Sequence, residues 1–122
     1  MNQIPLNTTQ IAICSVDELI QKKSIGWSGI VNSELKQCFL VYHGGQIYSY
    51  YNQCPHTGVN LDWIENQFLD KDGQLIQCAT HGALFEIASG ECLSGPCPGE
   101  WLKPVENKLI NKIIYLKFQI NA

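Results

Sequence analysis

The sequence predicts an antiparallel all-β fold, a sandwich or a barrel. Three observations carry that expectation. Outside one short segment, helical periodicity is weak, and short apolar, β-branched and aromatic runs alternate with turn residues. Gly44-Gly45 separates two such runs by two residues that tolerate left-handed backbone, which is the chemistry of a tight hairpin. Further strand-forming runs follow, with turns at Asp72-Gly73 and Ser89-Gly90 between them.

In chain order, Ile11-Ala12-Ile13 reads as a strand that ends near Cys14. Ser15-Val16-Asp17-Glu18 then matches a capping box, predicting a short helix or turn to about Lys23. Residues 37–43 are rich in strand formers, and Cys38 alternates with Leu40 and Tyr42, as a buried small apolar residue does. His43, beside the glycine pair, reads as a turn residue. Residues 46–51 form the second arm of that hairpin. Residues 75–77 and 83–87 flank a cysteine–histidine segment, and residues 109–120 read as one long terminal strand with Asn111 and Lys112 early in it.

At 122 residues the chain is long enough for one domain with a modest core, so residues 1–122 are expected to form a single domain. It is 45% hydrophobic and 16% charged, as soluble globular proteins are. All eight basic residues are lysines and the formal net charge is -3, which argues against nucleic acid, whose phosphates and guanines are best met by arginine. No apolar run approaches the roughly 18 residues needed to cross a membrane, and no basic start with an apolar stretch marks a secretory signal. A cytoplasmic location is therefore expected. In that compartment, six cysteines point to metal binding or catalysis more than to disulfides.

The chemistry concentrates in two segments, Cys54-Pro55-His56-Thr57-Gly58 and Cys78-Ala79-Thr80-His81-Gly82. Each offers one sulfur and one imidazole ligand at a strand end, spaced C-x-H in the first and C-x-x-H in the second. Two thiolates and two imidazoles fit a cluster of two irons and two sulfides with Cys54 and Cys78 on one iron and His56 and His81 on the other. The same donor set also makes a structural zinc site. Gly58 and Gly82 let backbone N–H groups approach the centre without a side-chain clash.

These residues resemble the Rieske iron–sulfur family. C-x-H followed by C-x-x-H-G is its signature, and Gly95-Pro96-Cys97-Pro98 is similar to the proline loop that covers its cluster. The resemblance runs over about residues 36–116. It implies one [2Fe-2S] cluster per chain on Cys54, His56, Cys78 and His81, with the histidine iron nearer the surface. It implies electron transfer in place of substrate chemistry, because a fully ligated cluster leaves no open coordination position. The 21 residues between His56 and Cys78 exceed the commonest family spacing and read as a surface insertion.

Respiratory-complex members of the family tie their cluster loops with a disulfide; the matching positions here are Val59 and Ala79 or Thr80, so that link is missing. Their sulfur-bonding serine and tyrosine match Ala83 and Phe85, which carry no hydroxyl. The resemblance therefore points to a small soluble ferredoxin that passes electrons from a reductase to an acceptor such as an oxygenase. An accessory subunit similar to the small subunit of nitrite reductase is the alternative, and a zinc-stabilised interaction module is a third reading. Without those hydroxyls the reduction potential is expected at the low end of the Rieske range, falling further as pH rises through the titration of His56 and His81.

Cys92 and Cys97 bracket the turn into the proline loop and remain open between two free thiols and a disulfide. Trp63 and Trp101 flank the cluster elements and are read as packing residues. Glu65, Asp70, Asp72, Glu86, Glu91 and Glu100 make the cluster-bearing half acidic, which can steer a basic redox partner.

Overall fold

The computed structural model describes residues 8–55, 58–62, 64–80 and 82–119. In these residues nine strands and one short helix follow in the order β1 (Thr8–Ser15), α1 (Val16–Lys22), β2 (Ser24–Val31), β3 (Glu34–His43), β4 (Gln46–Tyr51), β5 (Leu75–Gln77), β6 (Leu84–Glu86), β7 (Cys92–Ser94), β8 (Glu106–Ile110) and β9 (Ile113–Gln119). They build three antiparallel sheets of three strands each, ordered β1-β9-β8, β2-β3-β4 and β5-β6-β7. The antiparallel all-β expectation is met.

Local chemistry accounts for the element ends. Ser15 caps α1 by accepting the Glu18 N–H on its Oγ at 3.1 Å, as the capping box requires. Gly44 and Gly45 both take positive φ, so the β3–β4 turn has the backbone handedness that matches strand twist. Asp70 closes the Asp72-Gly73 turn. Its Oδ1 accepts the N–H groups of Gln74 and Leu75 at 3.0 and 3.2 Å, while Leu69 bridges Ile76.

One expectation is corrected. The single terminal strand over 109–120 is a hairpin, β8 then β9, turning at Asn111-Lys112. Both turn residues adopt left-handed backbone, with φ of 50° and 69°. Asn visits that region readily and Lys seldom does, so the pair gave no turn signal. The β2–β3 connection uses Asn32-Ser33 in the same way, with φ of 52° and 69°.

The central sheet β2-β3-β4 separates two apolar cores. On β3, Phe39 and Val41 face the core that also holds the β5-β6-β7 sheet, while Cys38 and Leu40 face the core shared with β1-β9-β8. A strand covered on both faces reads as an unbroken apolar run, as residues 38–41 do. Phe39 stacks on Phe68 with ring centres 4.4 Å apart, seating the 64–70 segment on the first core. Trp27 stacks on Phe118 at 5.8 Å in the second. The sheets are also joined through polar groups. Tyr50 donates its hydroxyl to the Ile87 carbonyl at 2.5 Å, and Ser49 donates to the Val105 carbonyl at 2.5 Å. Among the described residues no helix is long and apolar enough to cross a membrane.

Candidate metal centre

The two cysteine loops are built alike. Cys54 follows β4 after two residues, and Cys78 follows β5 directly. In the first loop the Cys54 N–H donates to the Val59 carbonyl at 2.7 Å, and the Gly58 N–H donates to the Cys54 carbonyl at 2.7 Å. In the second, the Cys78 N–H donates to the Ala83 carbonyl at 2.9 Å, and the Gly82 N–H donates to the Cys78 carbonyl at 2.8 Å. Each loop thus closes from its cysteine onto the fourth and fifth residues beyond. Closure in so few residues needs left-handed backbone near the end, and Gly58 and Gly82 supply it with φ of 79° and 70°.

This repeated geometry turns both cysteines inward. Cys54 and Cys78 are 1% and 0% exposed, sit in one core cluster and are free thiols. His56 and His81, the other two expected ligands, lie outside the described residues. Among the described residues no three His, Cys, Asp or Glu side chains converge as a metal site.

The loops are braced against one another. The Ala79 N–H donates to the Leu61 carbonyl at 2.8 Å. Leu61 is in turn fixed by Asn52, whose Oδ1 accepts the Leu61 N–H at 2.7 Å and whose Nδ2 donates to Asp62 Oδ1 at 3.0 Å. Asn52 is itself tied to β3, its N–H donating to the Gln37 carbonyl at 2.8 Å. Sequence reasoning missed this brace. Asn52 lies two residues before Cys54, and an asparagine beside a ligand motif is a signal, but its partners nine and ten residues away are set by the fold.

The segment after β7 packs over the second loop. Gly95, with φ of 102°, runs so close to Ala83 that a β-carbon there would lie 2.8 Å from the Ala83 Cα. Cys97, in the same segment, is buried in the core of Cys54 and Cys78. Its thiol is pushed up to about 12, first by burial, then by its hydrogen bond with and the charge of Cys92, and less by Cys54. Outside this buried region, Leu93 and Trp101 are exposed, as are Glu86 and Glu100. Ala83 and Phe85 are fully buried, with no hydroxyl to offer the site.

No curated protein sequence matches the chain. Solved structures match its fold. The ferredoxin of carbazole 1,9a-dioxygenase from Nocardioides aromaticivorans IC177 superposes with a TM-score of 0.67 at 19% identity, covering 88% of this chain and 96% of that one. The Sphingomonas yanoikuyae B1 ferredoxin gives 0.64 at 19% identity, covering 90% and 99%. A candidate NADH-dependent nitrite reductase small subunit from Mycobacterium tuberculosis gives 0.66 at 17% identity, covering 93% and 98%. The family model described as the Rieske [2Fe-2S] domain matches residues 9–112, and the chain belongs to that family.

Proposed function

We propose that this chain is a Rieske-type ferredoxin, a carrier of single electrons between a reductase and an acceptor such as an oxygenase. The family's cofactor is one [2Fe-2S] cluster, and the two described cysteines, free and buried in one core, suit it. The observation that carries the reading is the pair of like-built loops, each closing on a glycine and each turning a free, buried cysteine into a common core. Two buried thiols in apolar surroundings are soft donors held away from water, as iron–sulfur ligation asks. In this reading Cys54 and Cys78 hold one iron, His56 and His81 the other, and residues 1–122 are a single such domain.

Bound there, the cluster supplies reversible one-electron storage. The chain's own residues set the conditions for it. The Ala79–Leu61 hydrogen bond and the Asn52 brace keep the two loops at a fixed separation. Gly95, seated on Ala83, keeps the proline-containing segment over the second loop. Rigid loops lower the rearrangement needed when charge changes, which favours fast transfer. The partner reading draws on a structural neighbour that is a complex of reduced oxygenase and oxidised ferredoxin in carbazole 1,9a-dioxygenase, similar at a TM-score of 0.69 and 18% identity. It is also supported by the exposed Glu86 and Glu100, which suit a basic partner face.

The test is transient kinetics with the purified brown protein. Reduction by NADH through a separate flavoprotein reductase, followed by reoxidation on adding a terminal oxygenase, supports the proposal. A protein that takes no electron from any such reductase contradicts it. The likeness to the nitrite reductase small-subunit candidate favours a second reading, an accessory subunit of a larger reductase. Recovery from cells only as a stable complex with a large catalytic subunit would select it.

A further inference from the structure

Cys92 and Cys97 belong to the same buried core as Cys54 and Cys78, and the ligand set proposed above uses neither. Cys92 opens β7 and Cys97 sits five residues on. The chain between them folds back on itself. The Cys92 N–H donates to the Glu100 carbonyl at 2.9 Å, the Glu100 N–H donates to the Cys97 carbonyl at 3.1 Å, and Glu91 pairs with Trp101 just outside. Positive φ at Gly95 and Gly99 permits the return. The result is a closed loop whose two thiols meet at its neck, with Cys97 Sγ donating to Cys92 Sγ at 2.7 Å. The side chains are 3% and 2% exposed, so no solvent separates them.

We propose that Cys92 and Cys97 are a reversible dithiol–disulfide pair, a modification site that cross-links the 92–97 loop and clamps it onto the second cysteine loop. The oxidant is a small-molecule disulfide such as glutathione disulfide. One protein thiolate attacks a sulfur of the oxidant, its S–S bond breaks, and one small thiol leaves. The second protein thiolate then attacks the protein sulfur of that mixed disulfide, forming the Cys92–Cys97 bond and expelling the second small thiol. The protein gives up two electrons and two protons, and both appear in the two small thiols released. Excess small thiol runs the sequence backwards.

Burial makes the first attack depend on opening of the 93–99 segment, whose Leu93, Pro96 and Pro98 face outward and whose neck is held by the two Cys92–Glu100 and Glu100–Cys97 backbone bonds. Once formed, the covalent link fixes the segment that carries Gly95, and Gly95 rests on Ala83 at the close of the second cysteine loop. The oxidised pair therefore resists opening of that loop. This consequence for the cluster rests on the function proposed above; the modification itself does not.

The test treats the cluster-containing protein with glutathione disulfide, denatures it in alkylating reagent and cleaves after glutamate. Glu91 and Glu100 bound a fragment, residues 92–100, that holds both cysteines and neither Cys54 nor Cys78. The expected result is a fragment lighter by two hydrogens and unalkylated, which gains two alkyl groups after prior reduction. A fragment that stays doubly alkylated, or carries glutathione on one cysteine alone, overturns the proposal. Cys97→Ala is expected to abolish the two-hydrogen loss, and Cys92→Ala asks the same question if that variant does not fold. The clamp is read separately, as loss of cluster colour to an iron chelator. Slower loss in the oxidised protein than in the reduced one supports it, and equal rates in the two states refute it.

Discussion

Gly95 lies against Ala83 with no room for a side chain between them, a β-carbon on the glycine falling 2.8 Å from the Ala83 Cα. That contact joins the proline-containing segment to the second cysteine loop. Gly95→Ala meets two penalties, the clash and a φ of 102° that L-residues avoid. The backbone penalty alone is about 1–3 kcal/mol. The variant is expected to melt at lower temperature and to lose cluster colour to chelators faster. An unchanged melting temperature would show that the segment moves away freely.

Asn52 is the second such constraint. Asn52→Ala leaves the buried Leu61 N–H without its acceptor and Asp62 without its amide donor, at a cost of about 1–3 kcal/mol. Asn52→Asp keeps the acceptor but sets two carboxylates together, so it is expected to recover less than the full loss near neutral pH and more below the carboxylate range. Equal stability of the wild type and Asn52→Ala in denaturant titrations would remove the brace from the account.

Neither constraint could be read from the sequence, and the reason is physical. The strands at 46–51 and 75–77 and the helix after Ser15 were legible because each rests on local signals, a glycine pair, an apolar run or a capping box. The two cysteine loops stood out for the same reason, since each carries a short local Cys-to-Gly pattern, and the fold buries Cys54 and Cys78 in one core. The β8–β9 turn at Asn111-Lys112 escaped notice because its left-handed backbone is imposed by pairing across the hairpin and not by residue type. In β2, Gly26 and Gly29 thin the strand signal. One lies under the Phe68 ring and the other under the Trp27 indole, so aromatic side chains fill the space the glycines leave. The Asn52–Leu61 and Gly95–Ala83 contacts join residues nine and twelve positions apart, which only the closed fold brings together.

Stability should fall on the alkaline side. Burial pushes the Cys38 thiol up from 9.0 to about 12, against a smaller opposing effect of Lys36. The unfolded chain then releases this proton near pH 9 while the folded chain keeps it. The contribution is complete below pH 9 and is lost as pH climbs towards 12, by up to roughly 4 kcal/mol. Burial shifts Tyr50 the same way, from 10.0 to about 12, so the wild-type slope has more than one source. Cys38→Val, which stays apolar and removes the proton, is expected to show a shallower fall than the wild type in denaturant titrations between pH 9 and 11. Parallel slopes would show that Cys38 does not titrate as assigned.

By the resemblance read from the sequence, Ala83 and Phe85 match the positions at which respiratory-complex members offer hydroxyl groups to the cluster sulfurs. Their absence predicts a midpoint near the low end of a range that runs from roughly −150 to +300 mV. A hydrogen bond to a charged group contributes on the order of 1.5–3 kcal/mol, and about 1.4 kcal/mol corresponds to about 59 mV for one electron. Ala83→Ser is therefore expected to raise the midpoint by roughly 60–130 mV. A wild-type midpoint well above zero, or a serine variant no higher than the wild type, would reject this assignment.

The central claim is that Cys54, His56, Cys78 and His81 hold a pair of irons bridged by inorganic sulfide. Iron and acid-labile sulfide analysis of the purified protein, with EPR of its reduced form, tests it most directly. The account predicts two irons and two sulfides per chain, as the family's [2Fe-2S] centre requires, and loss of the wild-type spectrum in Cys54→Ser and in His81→Ala. A colourless protein with stoichiometric zinc and no sulfide, or either variant retaining the wild-type spectrum, would contradict it.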